Sequence, residues 1–269
     1  MSTSTRPRSV HDLRGYKVRG EKFVMVTAYD ATNAAILDEA GIPLLLVGDS
    51  LGMVVMGHSS TVPVSMDDMV HHTAAVRRGA PDALVVADLP FGSYQADPAE
   101  AKRNAVRLLQ EGGATAVKLE GGDRVTNLVA ELVAMGVPVM GHLGLTPQSV
   151  NQLGGFKVQG RSDEAAVQIV TDTVALADAG AFAIVLECVP SDVGRRATEA
   201  VDVPTIGIGA GPDTDAQVMV LPDLLGMTSG RLPRFVKSYI DGRSMIRDAV
   251  KSFQSEVAGG EYPAPEHRY

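Results

Sequence analysis

The sequence predicts a single α/β domain folded as a (β/α)8 TIM barrel, with a closing helical region at its C-terminus. Three observations lead there. Eight short apolar runs recur along the 269 residues, helical segments separate them, and no glycine-rich dinucleotide fingerprint follows the first run, where FVMVTAYD continues into ATNAA. An open doubly wound sheet is the competing arrangement. Eight repeats within about 250 residues favour closure.

The strand candidates are FVMVTA (23–28), PLLLVGD (43–49), ALVVADL (83–89), AVKLE (116–120), VPVMGHL (137–143), FAIVLE (182–187), VPTIGIG (203–209) and QVMVL (217–221). Each is nearly continuous in Val, Ile and Leu, as strands covered on both faces require. Helix punctuation lies between them. In 97–114 Asp97 can cap, Pro98 suits the first helical position, Glu100 completes a capping box and Gly112 ends the helix. In 65–79 Ser65 starts a helix with Met66, Met69, Val70 and Thr73 on one face, and Gly79 stops it. The segment 162–180 ends at Gly180 in the same way. Residues 233–253 read as closing helix and 259–269 as an extended tail. Residues 1–20 read as a flexible or short helical lead-in, and 21–269 as the catalytic domain. The lead-in lacks the apolar core of a secretory signal.

Bulk composition excludes several roles. With a net charge of −8 and no tryptophan, the chain lacks the basic field and stacking aromatics of a nucleic-acid binder. No apolar run reaches the roughly 18 residues of a membrane span. One cysteine, Cys188, rules out an internal disulfide framework and fits a reducing cytoplasm.

The chemistry lies at the strand ends. Asp49, Asp88, Glu120 and Glu187 each close an apolar run, although burying an unpaired carboxylate costs several kcal/mol. Acids at the C-terminal ends of parallel strands point to one polar site, suited to a divalent metal and proton transfer. Strand parity puts Lys118 with Glu120, Met140 with His142, and Val185 with Glu187 on shared faces. If those faces line the barrel, all six polar residues crowd its rim. Three of the acids would supply hard oxygens to Mg²⁺, and an acid outside that shell could act as a general base.

Each residue also has a plainer reading. Asp49 or Asp88 alone could be a cap or a loop ion pair, Lys118 a partner for Glu120, and His142 a satisfied core histidine. His71 and His72 read as structural, and Cys188 as a small buried hydrophobe on the face opposite Glu187. GIGAG (207–211) could be a phosphate turn. The long connection 50–65 could cover the site or form an ordinary surface excursion.

Longer words carry a family resemblance. TAYD (27–30), LLVGDSLGMVVMGH (45–58), HHTAAVRRGAP (71–81), ADLPFGSY (87–94), VKLEGG (117–122), GHLGLTPQSVNQLGGFKVQGR (141–161), VLECVP (185–190) and IGIGAG (206–211) together resemble the ketopantoate hydroxymethyltransferase family. The resemblance implies a barrel enzyme that moves a one-carbon unit from 5,10-methylenetetrahydrofolate to 3-methyl-2-oxobutanoate in pantothenate synthesis. It implies Mg²⁺ at Asp49, Asp88 and Glu120, partly through water. It implies substrate contacts at Asp49, Ser50, Asp88, Lys118 and His142, a general base at Glu187, and a homodecamer. Three rivals are a Mg²⁺-dependent lyase or mutase of the phosphoenolpyruvate mutase type, a phosphosugar isomerase and a non-catalytic 2-oxo acid or folate scaffold. The first usually clusters acids after strand three, where ADLPFGSY has one; the second leaves Asp49 and Asp88 without work.

Overall fold

Every predicted apolar run forms a strand in the computed structural model, which describes residues 7, 9–230 and 232–269. They are β1 (Phe23–Thr27), β2 (Leu44–Val47), β3 (Leu84–Asp88), β4 (Ala116–Glu120), β5 (Val139–Gly144), β6 (Ala183–Glu187), β7 (Thr205–Ile208) and β8 (Ala216–Met219). All pair in parallel and in sequence order, and β8 returns to β1 through Met25↔Val218, so the barrel closes. Every residue of β3 and β4 is buried, which explains their unbroken apolar character.

Helices follow the strands. They are α1 (Asp12–Arg19), α2 (Ala31–Glu39), α3 (Leu51–Val54), α4 (Met66–Gly79), α5 (Pro98–Gln110), α6 (Asp123–Ala134), α7 (Val150–Leu153), α8 (Asp163–Asp178), α9 (Ser191–Glu199), α10 (Leu221–Leu224) and α11 (Gly242–Gly259). Residues up to Met219 form one compact unit and Val220–Tyr269 a second. In the first, α1 ties in through Lys17, whose Nζ donates to Thr198 O (2.7 Å) and pairs with Asp215 (3.0 Å). In the second, Tyr239 and Gly242 N–H groups donate to Leu224 and Leu225 carbonyls, holding the start of α11 to α10. Among the described residues, no helix is long and apolar enough to cross a membrane.

Several local expectations need correction. Asp97 caps α5 by accepting from Ala99 N–H, without a reciprocal bond from Glu100. The capping box forms instead on α4, between Ser65 and Asp68. The left-handed residue after α5 is Gly113, not Gly112. Gly79 is the last residue of α4, and its role is closeness: a Cβ there would stand 2.1 Å from Ala31 O of α2. The buried face of α4 is Met69, Thr73 and Val76, with Met66 and Val70 half-buried. The closing region is helical only from Gly242, and the tail contains a short 3₁₀ turn at Pro265–His267. Residues 1–6 and 8 of the lead-in lie outside the described residues.

Candidate active site

Register places the polar residues side by side. Asp88 pairs with Lys118, Glu120 with His142, and Gly144 with Glu187. Paired residues of parallel strands point to one face, so the parity argument extends from β3 to β6. Asp49, Asp88, Lys118, Glu120 and His142 are each under 5% exposed, while the Glu187 side chain keeps 18%.

A chain of charged contacts connects them. Lys118 Nζ lies 3.0 Å from Asp88 Oδ1 and 3.2 Å from His142 Nδ1. His142 Nδ1 stands 3.3 Å from Glu120 Oε1, and its Nε2 stands 3.2 Å from Glu187 Oε2. Asp88 Oδ2 accepts from the Asp49 N–H at 3.0 Å. Asp88 Oδ1 and His142 Nε2 nevertheless lack an aligned hydrogen-bond partner, so their contacts are ionic rather than directional. Ser50 opens α3, and its hydroxyl meets Tyr29 OH at 2.9 Å. The structure thus brings all seven predicted site residues to one end of the barrel.

Burial dominates the electrostatics. It holds Asp49 well above the usual carboxylate range, and repulsion from Asp88 and Glu120 adds to the shift against Lys118 and the Gln148 hydrogen bond. Burial also raises Asp88, although Lys118 opposes it. Burial would strip Lys118 of its proton, but Asp88, Glu120 and Asp49 outweigh that and raise its pKa. Burial and Lys118 pull His142 down, yet the Glu120 and Glu187 carboxylates beside its two ring nitrogens prevail and push it up to about 9.

Two further participants carry no charge, and the sequence reading passed over both. Gln148 Nε2 donates to Asp49 Oδ2 (2.8 Å) and Leu89 O (2.9 Å), while its backbone N–H donates to Glu120 Oε2 (3.1 Å). Tyr94 OH donates to Gln148 Oε1 (2.8 Å) and accepts from Glu120 N–H (3.0 Å). The available signal was their place in the long words ADLPFGSY and GHLGLTPQ, each just beyond a strand end that carries site residues.

Other expectations fall outward. His72 Nδ1 meets Tyr29 O at 2.6 Å and stacks edge-on with His71, so the pair is structural. Cys188 is half-buried rather than buried, and burial with Glu187 pushes its thiol up to about 12. Its backbone is left-handed (φ 49°), the one such non-glycine among the described residues. The connection 50–65 is anchored by buried Leu51, Thr61 and Val64, and its longest exposed run is 55–59.

Asp49, Asp88 and Glu120 present the hard oxygens that divalent cations take, and Asp88 Oδ1 is a buried oxygen with no aligned donor. Among the described residues no three His, Cys, Asp or Glu side chains form a ready-made coordination group. Lys118, His142 and Gln148 occupy the spaces between the acids.

The chain has relatives of known name along nearly its whole length. A Thermobifida fusca protein named 3-methyl-2-oxobutanoate hydroxymethyltransferase is 58% identical over 99% of this chain and 95% of its own length. A Syntrophus aciditrophicus protein of the same name is 54% identical over 100% of both. The fold also resembles crystal structures of 2,3-dimethylmalate lyase (TM-score 0.63, 17% identity, 96% of this chain and 93% of that one) and of phosphonopyruvate hydrolase with oxalate and Mg²⁺ (0.62, 13%, 96% and 93%). At such low identity these two bear on the barrel alone. Residues 7–265 match the sequence family described as Ketopantoate hydroxymethyltransferase, and the chain belongs to that family.

Proposed function

We propose that this protein transfers a hydroxymethyl group from 5,10-methylenetetrahydrofolate to 3-methyl-2-oxobutanoate, giving 2-dehydropantoate for pantothenate and coenzyme A synthesis. The observation that carries the reading is the separation of Glu187 from the other acids. It stands at the far end of the Asp88–Lys118–His142 chain, beyond the imidazole, and is the most exposed of the four strand-end acids.

That placement suits a base acting on carbon. Glu187 takes the C3 proton of the 2-oxo acid, and His142 fixes the direction of its carboxylate. Lys118 offers positive charge to the ketone oxygen as the enolate forms, and Ser50 holds the substrate carboxylate at the start of α3. A Mg²⁺ ion held by Asp49, Asp88 and Glu120 would add charge stabilisation at the same oxygens. C3 then bonds to the methylene carbon of the folate, and water supplies the hydroxyl while tetrahydrofolate leaves. Asp49 and Asp88 fit such an ion because burial and repulsion from neighbouring carboxylates disfavour their charged forms without one. The resemblance further supports a homo-oligomer, a decamer in the family, working in the cytoplasm.

Deuterium exchange tests the reading. Protein with Mg²⁺ should wash the C3 proton of 3-methyl-2-oxobutanoate into D₂O without folate. Glu187→Gln should abolish exchange while leaving substrate binding. Exchange persisting in that variant rejects Glu187 as base. A lyase or mutase would form product without reduced folate, so its omission separates the two readings.

A further inference from the structure

Gln148 is the most heavily bonded uncharged side chain of the site. It is 4% exposed and sits in the single 3₁₀ turn Pro147–Ser149 that follows β5. Its amide has two N–H donors, and Asp49 Oδ2 and Leu89 O take both. Its Oε1 accepts from Tyr94 OH and from Gln95 Nε2 (3.1 Å). These partners fix the amide's orientation, because an acceptor turned toward a carboxylate and a carbonyl would be repelled. The backbone N–H of the same residue holds Glu120 Oε2.

One residue therefore grips two acids that come from opposite sides of β3. Asp49 follows β2 and Glu120 ends β4. Neutrality matters here. A lysine could satisfy Asp49 equally well, but its charge would compete with a cation for the same carboxylate. An amide orients the oxygen and leaves the negative charge in place.

We propose that Gln148 is a positioning residue that sets the spacing of Asp49 and Glu120 for a divalent cation, with Tyr94 holding Gln148 in turn. The proposal rests on the metal-dependent reading above. Tyr94 completes the device because its hydroxyl bonds both the Gln148 amide and the Glu120 N–H. The clamp bonds Asp49, Glu120, Leu89 O, Tyr94 and Gln95 and none of Lys118, His142 and Glu187, so its effect is assigned to cation affinity.

The test measures Mn²⁺ binding to substrate-free protein by electron paramagnetic resonance, with thermal melting as a control for folding. In Gln148→Ala the dissociation constant should rise about tenfold, the size of one lost hydrogen bond to a charged group. Tyr94→Phe, which removes only the outer support, should raise it by about threefold. In turnover, the Mg²⁺ concentration at half-maximal rate should rise in both variants, with the rate at saturating Mg²⁺ nearly kept. Unchanged Mn²⁺ affinity in a normally melting Gln148→Ala overturns the proposal. If that variant does not fold, unchanged affinity in Tyr94→Phe does the same. Native protein that exchanges C3 yet shows no Mn²⁺ binding defeats the clamp while sparing Glu187. Native protein that binds Mn²⁺ but never exchanges C3 defeats the functional reading instead.

Discussion

Lys118 sits 3.0 Å from Asp88 inside a site that also holds Asp49 and Glu120, and it is 4% exposed. Removing one member of a buried charge set leaves the others uncompensated, which typically costs about 3–5 kcal/mol. Lys118→Met keeps the length of the stem and loses the charge. Without divalent cation it should be less stable to urea by roughly that amount. Added Mg²⁺ should restore more stability to the variant than it adds to the native protein, since the cation takes over the lost neutralisation. Equal Mg²⁺ increments in both proteins would mean that the cation does not share the acids with Lys118. The charged residues of this site were legible because charge inside an apolar strand is costly, and strand parity then assigns their faces. Gln148 and Tyr94 were not legible. Their side chains are ordinary loop residues until the fold joins positions 54 apart, and no local rule connects them. The left-handed backbone of Cys188 was hidden for a related reason, since its neighbours in the fold, Ile208 and Gln159, dictate the turn through backbone bonds.

At the scale of elements, α4 offers a test that a single side chain decides. Ser65 Oγ accepts from Asp68 N–H, and Asp68 accepts from the Ser65 N–H at 2.9 Å, so two orphan donors of the first turn are satisfied reciprocally. Ser65→Ala should cost about 1 kcal/mol in urea unfolding at neutral pH. The Asp68 carboxyl is held below its ordinary value, first by the Ser65 side chain and then by its backbone N–H. A depressed carboxyl stabilises the fold above its unfolded value and loses that contribution as pH falls through the folded one. The difference between native protein and Ser65→Ala should therefore shrink below about pH 4, and a constant difference across that range would remove Asp68 from the account. The strands were readable one by one because most are covered on both faces and need no alternation; only Val24 of β1 and Gln217 of β8 are exposed. The four-residue helices α3, α7 and α10 were not, because helices that short gain little from their own hydrogen bonds and form where packing imposes them. Asp97 and Glu100 have the spacing of a capping box, yet none forms there because Asp97 bonds Ala99 instead.

At the scale of the whole molecule, α11 presents a feature that folding of the single chain does not explain. Ile246, Val250, Phe253 and Val257 recur at intervals of four, three and four residues, which puts them on one helical face, and each is about half exposed. Met245 adds to the patch at 63% exposure. Burying one such side chain fully is worth about 1.5–3 kcal/mol, so leaving several in water is a cost that association would relieve. Phe253 also meets Tyr262 with ring centroids 5.2 Å apart, so the tail extends the patch instead of covering Ile246 and Val250. If the protein assembles as its family resemblance implies, this stripe is a natural place for copies to meet. Light scattering on a sizing column should then give the native protein a mass several times that of one chain, and Val250→Asp with Phe253→Asp should reduce it. Neither residue is one of the charged residues assigned to the site, so C3 exchange per chain should persist in the dispersed form. An assembly that survives both substitutions would place the interface elsewhere, and a native monomer would leave the stripe without a partner of its own kind.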